Sequence, residues 1–382
     1  MTLSSRKEYL EEMRERYRKV ENKSEKSQLI SEVSEFLGIH RKHTIRVLNE
    51  DIFIKKRLRK PRKHKYESDL IAPLKLVWKT LGYPCSQRLV TQISTIITIL
   101  KSFGEIVITQ KQEELLSSIS SDTIDHLLVK ERKRFMGKGL SGTRRSPLLK
   151  TLIPIRCGFG DVKAPGHLET DCVLHCGDSL SGIYAETVNM LDIDSHWNEK
   201  RMILDKTKAK VVGAFHKARA YFPFPILSND FDNGHEFVNW SMYGYCQRER
   251  IKFTRSRSYH KNDQAHIEGK NYQSVRRVTG YGRITDHKIV DAFNNLYEEE
   301  HRLLTNFFYP TLKLKRKKKI GGKYRKKYEK AKTPYIRVME SRIISKEMKT
   351  RLKVQYESLN PVALQRSMAV KINKIKALIS VT

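Results

Sequence analysis

Between residues 165 and 304 the hydrophobic period of the chain switches repeatedly from two to about 3.6 and back. That switching limits the fold more than any other feature. HLETDCVLHC and SGIYAETVNMLDI alternate as strands, with HCGDSLSG as the hairpin between them. KRMILDKT reads as a third strand, KAKVVGAFHKARAYF as an amphipathic helix and PILSNDF as a short strand. EFVNWSMYGYCQRER is a helix, IKFTRSRSY a strand, and NDQAHIEGKNYQSVRRVTGY a helix closed by Gly280. The order β-β-β-α-β-α-β-α predicts a mixed sheet with helices on its faces, an α/β core.

The flanks have a different character. Residues 1–60 read as helices, with Leu29, Val33, Leu37, Ile45 and Leu48 at helical spacing and a turn at Gly38. This is a helix–turn–helix whose second helix offers Arg41, Lys42, Thr44 and Arg46 on its polar side, the geometry that lays a helix in a DNA major groove. Residues 61–150 form a second helical DNA-binding region and linker: a helical stretch interrupted near Gly82–Pro84, a further helix pair capped at Ser120 or Ser121, and the Gly/Ser/Arg-rich GKGLSGTRRSPLLK. The core is expected over 160–304. A basic region, 305–382, opens with KLKRKKKIGGKYRKKYEKAK, either a small β module or a disordered arm, and ends in two helices split at Asn360–Pro361.

Charge narrows the partners. The 75 Lys and Arg outnumber 42 Asp and Glu, for a formal net charge of +33 over 382 residues. Between Arg41 and Lys65 there are 11 cations against two acids, and between Lys313 and Lys332 there are 12 against one. Each phosphate neutralised releases condensed counterions, so a nucleic acid is the expected partner. No apolar run is long enough for a membrane span. The cysteines Cys85, Cys157, Cys172, Cys176 and Cys246 are odd in number and show no CxxC pair, which speaks against a disulfide framework or a cysteine-rich zinc site. A cytoplasmic, nucleoid-associated protein is the expectation.

Against that background the acids at the strand ends need explaining. Asp171 lies in mid-strand in HLETDCVLHC, on the same face as Glu169 and Val173, where a carboxylate must be solvated, paired or metal-bound. Taken alone, it reads equally well as an edge-strand acid facing water. Asp230 and Asp232 close the strand PILSNDF before Asn233–Gly234, a combination that usually marks just a turn. Glu268 sits early in a helix, where it also complements the dipole.

Taken together, these stretches carry a resemblance. GHLETDCVLHCGDSLSGIYAETVNMLDI, LSNDFDNGHEF, FTRSRSYHKNDQAHIEGKN and VRRVTGYGR resemble the catalytic core of the retroviral-integrase and DDE transposase superfamily, in particular bacterial insertion-sequence transposases. The family pattern is a strand aspartate, an aspartate before Asn-Gly, and a glutamate with 35 residues between; it falls on Asp171, Asp232 and Glu268. The resemblance implies a ribonuclease H-like core and a catalytic, metal-binding triad of Asp171, Asp232 and Glu268. Asp171 would bridge two Mg²⁺ or Mn²⁺ ions, with Asp232 holding one and Glu268 the other. Asp230 is then expected as a rim or supporting acid and Glu236 as a cap or pairing partner at the following helix. Without metal, one of the triad acids should have a raised pKa.

The implied activity is DNA transposition: binding terminal repeats of double-stranded DNA, metal-dependent cleavage, and joining to target DNA by transesterification. A homodimer or larger synaptic oligomer follows from pairing two ends. Lys261 and Asn262 before the Glu268 helix, and Arg276 and Arg277 after it, are the expected DNA contacts of the core; the position seven after the glutamate, where many relatives have a base, is Val275. Trp197 is expected in the core. The competing readings are a helix–turn–helix regulator that binds without cutting, and a ribonuclease H-like nuclease that cuts without joining.

Overall fold

The computed structural model describes residues 3–49, 66, 68–132, 153–154, 162, 164–232, 234, 236–256, 264–320 and 323–381. The Gly/Ser/Arg-rich stretch at 137–150, most of the basic connector before Tyr66, and Lys261 and Asn262 lie outside the described residues. The chain divides into two units, Met1–Lys65 and Tyr66–Thr382.

The first unit is three helices, α1 (Leu3–Lys19), α2 (Lys23–Leu37) and α3 (Arg41–Asn49). The Asn22 side chain accepts from Ser24 N at the start of α2, and Gly38 ends it at φ 65°, a left-handed conformation that glycine adopts without penalty. Met13, Ile30, Val33, Leu37 and Leu48 form the core, and Arg14 Nε donates to Val47 O to tie α1 to α3. The phase of α3 differs from the sequence reading. Thr44 and Leu48, one turn apart, are the buried residues, and Ile45 is turned outward. Thr44 is therefore withdrawn from any DNA-facing surface, because the α1–α2 core claims that stripe. Arg41, Lys42 and Arg46 are exposed. Arg41 is also anchored, donating to Ser31 Oγ at 2.6 Å and Ser27 Oγ at 2.6 Å.

The second unit begins with α4 (Ile71–Thr80), α5 (Ser86–Leu89), α6 (Ile93–Ser102), α7 (Gln110–Ser117), α8 (Ser121–Leu127) and α9 (Val129–Arg132). Gly82 interrupts them at φ 71°, and a Cβ there would lie 2.5 Å from the Tyr309 ring. Ser120 caps α8 by accepting from Thr123 N.

The core sheet is built from β1 (His167–His175), β2 (Ala185–Asp192), β3 (Asn198–Leu204), β4 (Ser228–Phe231) and β5 (Lys252–Arg255), in the order β3-β2-β1-β4-β5. Only β2 runs against the others: β1 pairs antiparallel with β2 and parallel with β4, and β4 pairs parallel with β5. This is the ribonuclease H-like core expected from the sequence. The crossovers are α10 (Lys208–Arg219) after β3 and α11 (Trp240–Arg248) after β4. They cover the face bearing Leu168, Val188, Met190 and Ile203, where Phe215, Phe231, Phe237 and Phe253 cluster. The other face receives α12 (Ala265–Asn271), which continues through a π-helical turn, Tyr272–Arg276, into α13 (Arg277–Thr279), and α14 (His287–Leu296), prolonged by π turns to Phe308. Trp197 is buried, as expected, its Nε1 donating to Glu199 Oε1.

Beyond the core, β6 (Leu314–Ile320) and β7 (Lys323–Tyr328) pair as an antiparallel ribbon, so the basic segment takes the β-module alternative. Three helices follow: α15 (Pro334–Glu340), α16 (Lys346–Ser358) and α17 (Pro361–Val381). The sequence reading missed α15, which Thr333 caps. Tyr335 stacks on Tyr356 at 4.5 Å and lies against Phe307, docking this region on the core. No helix among the described residues is long and apolar enough to cross a membrane.

Phe231 is fully buried, with the Phe253 ring at 4.7 Å and the Phe237 ring at 5.0 Å. Phe231→Ala is expected to destabilise the protein by about 3–5 kcal/mol in chemical denaturation, the cost of lost transfer energy plus a cavity. Val107→Ala, at a side chain 95% exposed, is expected to stay within about 0.5 kcal/mol.

Candidate active site

The parallel register of β1 and β4 builds the site. Leu168 pairs with Asn229, Glu169 with Asp230, and Thr170 with Phe231. The next residues on the two strands are Asp171 and Asp232. β4 ends at Phe231 while β1 runs on to His175, so a notch opens beside Asp171 where β4 leaves the sheet. Ligand sites in such sheets lie outside the carboxyl ends of parallel strands.

Both aspartates are half-buried and hard to ionise. Burial raises Asp171 to about 6, with the charges of Glu268 and Glu236 pushing the same way, while hydrogen bonds from Asn271 Nδ2 (2.6 Å) and Cys172 N (2.9 Å) oppose it. Burial also holds Asp232 well above the carboxylate range, reinforced by Asp171, Glu236 and Glu186; Gly234 N donates to its Oδ1 at 2.9 Å. Glu268 is exposed on α12, and its charge is felt at Asp171. The structure thus brings Asp171 and Asp232 side by side, with Glu268 on the helix packed over β1.

That helix is fixed by a residue the sequence reading left without a role. Glu169 is 1% exposed; its Oε2 accepts from Ile267 N at 2.9 Å, and its Oε1 lies 3.0 Å from His266 Nδ1. Glu169 and Asp171 alternate onto one face, so β1 holds the first turn of α12 with one carboxylate and its last residue, Asn271, with the other.

Behind Asp171 runs a chain of donors. Lys200 Nζ donates to Asn198 Oδ1 (2.9 Å), Asn198 Nδ2 to Asn189 Oδ1 (2.7 Å), Asn189 Nδ2 to Asn271 Oδ1 (2.8 Å), and Asn271 Nδ2 to Asp171 Oδ2. Every bond points the same way, from a buried ammonium to the carboxylate, so each amide dipole strengthens the next. Burial lowers Lys200 to about 8, against the raising charge of Glu199.

The remaining expectations divide. Asp230 is 1% exposed and accepts from Thr254 Oγ1 at 2.7 Å, a supporting acid inside the sheet. Glu236 does not cap α11, which Asn239 caps; its carboxylate turns back over Gly234, where a Cβ would lie 2.3 Å from it, and its charge raises both aspartates. Arg276 donates to Leu174 O at 2.6 Å and lies over the Tyr281 ring. Arg277 donates to Gly82 O at 2.7 Å and lies over Tyr83. The π turn after Asn271 directs both onto carbonyls of their own chain while leaving them half-buried, which fixes the two guanidinium groups without excluding a contact to DNA. Glu186, missed in the sequence, is fully buried on the other face of β2 and raised to about 7 by burial. Lys206 Nζ lies 3.4 Å from it without a directed hydrogen bond. The reasoning applied to Asp171, that an acid in mid-strand needs a reason, would have found it.

Among the described residues no group of three or more His, Cys, Asp or Glu side chains closes tightly enough to hold a metal ion. The donor chemistry at the notch nonetheless suits a hard divalent cation: carboxylate oxygens only, crowded enough to raise each other's pKa.

No family model matches the chain. Solved structures similar to it include the HTLV-2 integrase catalytic core domain in complex with magnesium, in a dimeric form, at 15% identity and TM-score 0.29, covering 38% of this chain and 90% of that one. The catalytic core domain of BIV integrase is similar at 15% identity and TM-score 0.31, over 49% of this chain and 98% of that one. In sequence, the chain is 33% identical over 330 residues to the uncharacterized protein y4rM of Sinorhizobium fredii (strain NBRC 101917 / NGR234), covering 86% of this chain and 93% of y4rM. At that identity and coverage, the chain belongs to the y4rM family.

Proposed function

We propose that this protein is a DNA transposase of the insertion-sequence type, a metal-dependent polynucleotidyl transferase that binds element ends, cleaves them and joins them to target DNA. The single observation that carries the reading is the side-by-side placement of Asp171 and Asp232 on parallel strands, with the charge of Glu268 felt at Asp171.

Asp171, Asp232 and Glu268 would hold the divalent metal. Bound Mg²⁺ or Mn²⁺ supplies charge stabilisation at the attacking and leaving oxygens of an in-line displacement. The chain's own groups prepare for that chemistry. Asn271 fixes the direction of Asp171 Oδ2, and Gly234 N–H fixes Asp232 Oδ1. Glu169 clamps the first turn of α12 and so places Glu268. The exposed Arg41, Lys42 and Arg46 of α3 and the Lys/Arg-rich β6–β7 ribbon supply phosphate contacts. Lys261 and Asn262, beside the Glu268 helix in sequence, belong to the same proposed DNA path. Two chains, one for each DNA end, act together.

With labelled end DNA and Mg²⁺ or Mn²⁺, wild type is expected to nick and join. Asp232→Asn is expected to bind DNA unchanged and lose at least about a hundredfold in cleavage rate, since several kcal/mol of charge stabilisation go with the ligand. Full cleavage by the variant would remove Asp232 from the site. Nicking without joined product would identify a nuclease, and binding alone a regulator.

Asn271→Ala is expected to lower metal affinity or rate about 10–100-fold, the usual effect of removing a group that orients a ligand; isothermal titration and single-turnover cleavage measure it.

A pH series tests the acids. Asp171 is raised when folded, so the folded metal-free chain holds the proton more tightly than the unfolded chain. Its contribution to stability is present at low pH and is lost as pH rises from the ordinary aspartate range through about 6. Metal competes with that proton, so the Mg²⁺-induced rise in Tm should be larger at about pH 8 than at about pH 5. A rise independent of pH would mean that the ion binds elsewhere.

A further inference from the structure

A second polar site lies behind the candidate active site, in a small cavity of about 30 Å³ between the Leu81–Pro84 turn, α5, the π turn after α12, and the residues around Thr305 and Tyr309. Its two basic lining residues are Arg88 and Lys270, and neither Asp nor Glu lines it. Arg88 Nη1 donates to Gln273 Oε1 at 2.8 Å, which aims the guanidinium and leaves its Nε buried without a partner. Thr305 lines the same cavity. It is 3% exposed, and its Oγ1 is buried with no hydrogen-bond partner. Buried donors are ordinarily satisfied, and two left open in the lining of one small cavity mark a place for an acceptor.

An arginine, a lysine whose charge burial and Arg88 disfavour until an anion arrives, two unanswered donors and no acid describe a receptor for an anion. The guanidinium fork suits the paired oxygens of a phosphate, and an ammonium adds a point charge. We propose that this cavity binds a phosphate group, held by Arg88, Lys270 and the Thr305 hydroxyl. Phosphate chemistry has two sources here, a DNA backbone phosphodiester or free phosphate. Lys270 lies two residues after Glu268, about 200° round the helix, so a backbone phosphate seated here would hold DNA against the opposite side of the helix that carries the proposed catalytic glutamate. In that form the inference rests on the function proposed above; in the free-phosphate form it stands alone.

The test uses the full chain and inorganic phosphate as the first probe. Phosphate is expected to raise the Tm of wild type and to protect Lys270 from amine acylation read by mass spectrometry. Thr305→Val is expected to weaken phosphate binding by about five- to tenfold, the loss of one hydrogen bond, and Arg88→Met by more. The second arm measures DNA affinity against salt. If the occupant is a DNA phosphodiester, Arg88→Met lowers the slope of log K against log salt by about 0.9, and inorganic phosphate competes with DNA. Weakened phosphate binding with an unchanged DNA slope assigns the site to free phosphate. Should Arg88→Met fail to fold, Thr305→Val and the protection of Lys270 in wild type still decide. Wild type that neither gains Tm nor protects Lys270, or a folded Thr305→Val that binds phosphate as wild type does, overturns the proposal. Phosphate binding without any DNA binding would instead sink the transposase reading and leave this site standing.

Discussion

The register between β1 and β4 is the constraint on which the rest depends. Side chains alternate along a strand, so a slip of one residue would exchange the two faces of β4. Phe231 would leave its aromatic cluster with Phe215, Phe237 and Phe253, and Asp230 would lose Thr254. The core therefore enforces the register, and the register sets Asp232 beside Asp171. Placement of the acids costs the site nothing extra in specificity, because the same pairing that buries a phenyl ring also delivers a carboxylate.

The second requirement is to hold α12. At seven residues it is too short to be stable alone, yet it carries Glu268. Its anchors are polar: Glu169 takes an N–H of the first turn, and Asn271 joins Asp171 at its end. Buried polar groups are tolerated only when satisfied. The run from Lys200 through Asn198, Asn189 and Asn271 answers that condition by giving each amide a donor on one side and an acceptor on the other. The result is a rigid connection between the sheet's third strand and the carboxylate at its centre.

Much of this was legible in the sequence because it is written in local patterns. Strand alternation, amphipathic helices and the Asp-Asn-Gly turn gave the order of the core elements and set Asp171 in a strand and Asp232 at a strand's end, while the family resemblance singled the two out as a site. What could not be read depends on tertiary partners. Thr44 looks like a groove-facing residue until the helical phase of α3 is known, and one hundred degrees per residue separates it from Ile45. Arg276 and Arg277 look like free cations, but a π turn directs them to Leu174 O and Gly82 O. Glu169 and the asparagines of β2 and β3 are unremarkable singly, and their meaning lies in contacts about a hundred residues away in the chain. The short helix α15 escaped because its apolar face is filled by Tyr335 and Val338 against a distant aromatic cluster rather than by a long periodic run.

Charge is distributed with the same logic. A chain of net charge +33 crowds carboxylates at one notch, where they repel each other and would repel any phosphate brought near. On the proposed reading a nucleic acid is not held by that notch, and its affinity would come from elsewhere on the chain: the exposed cations of α3, the basic β6–β7 ribbon and the Arg88–Lys270 cavity. On the proposed reading a divalent ion reverses the sign of the notch locally, and only then can a phosphodiester enter it. Binding and reaction are thereby assigned to different residues, and the raised pKa of Asp171, set first by burial and then by the charges of Glu268 and Glu236, shows that the notch disfavours negative charge until a cation arrives.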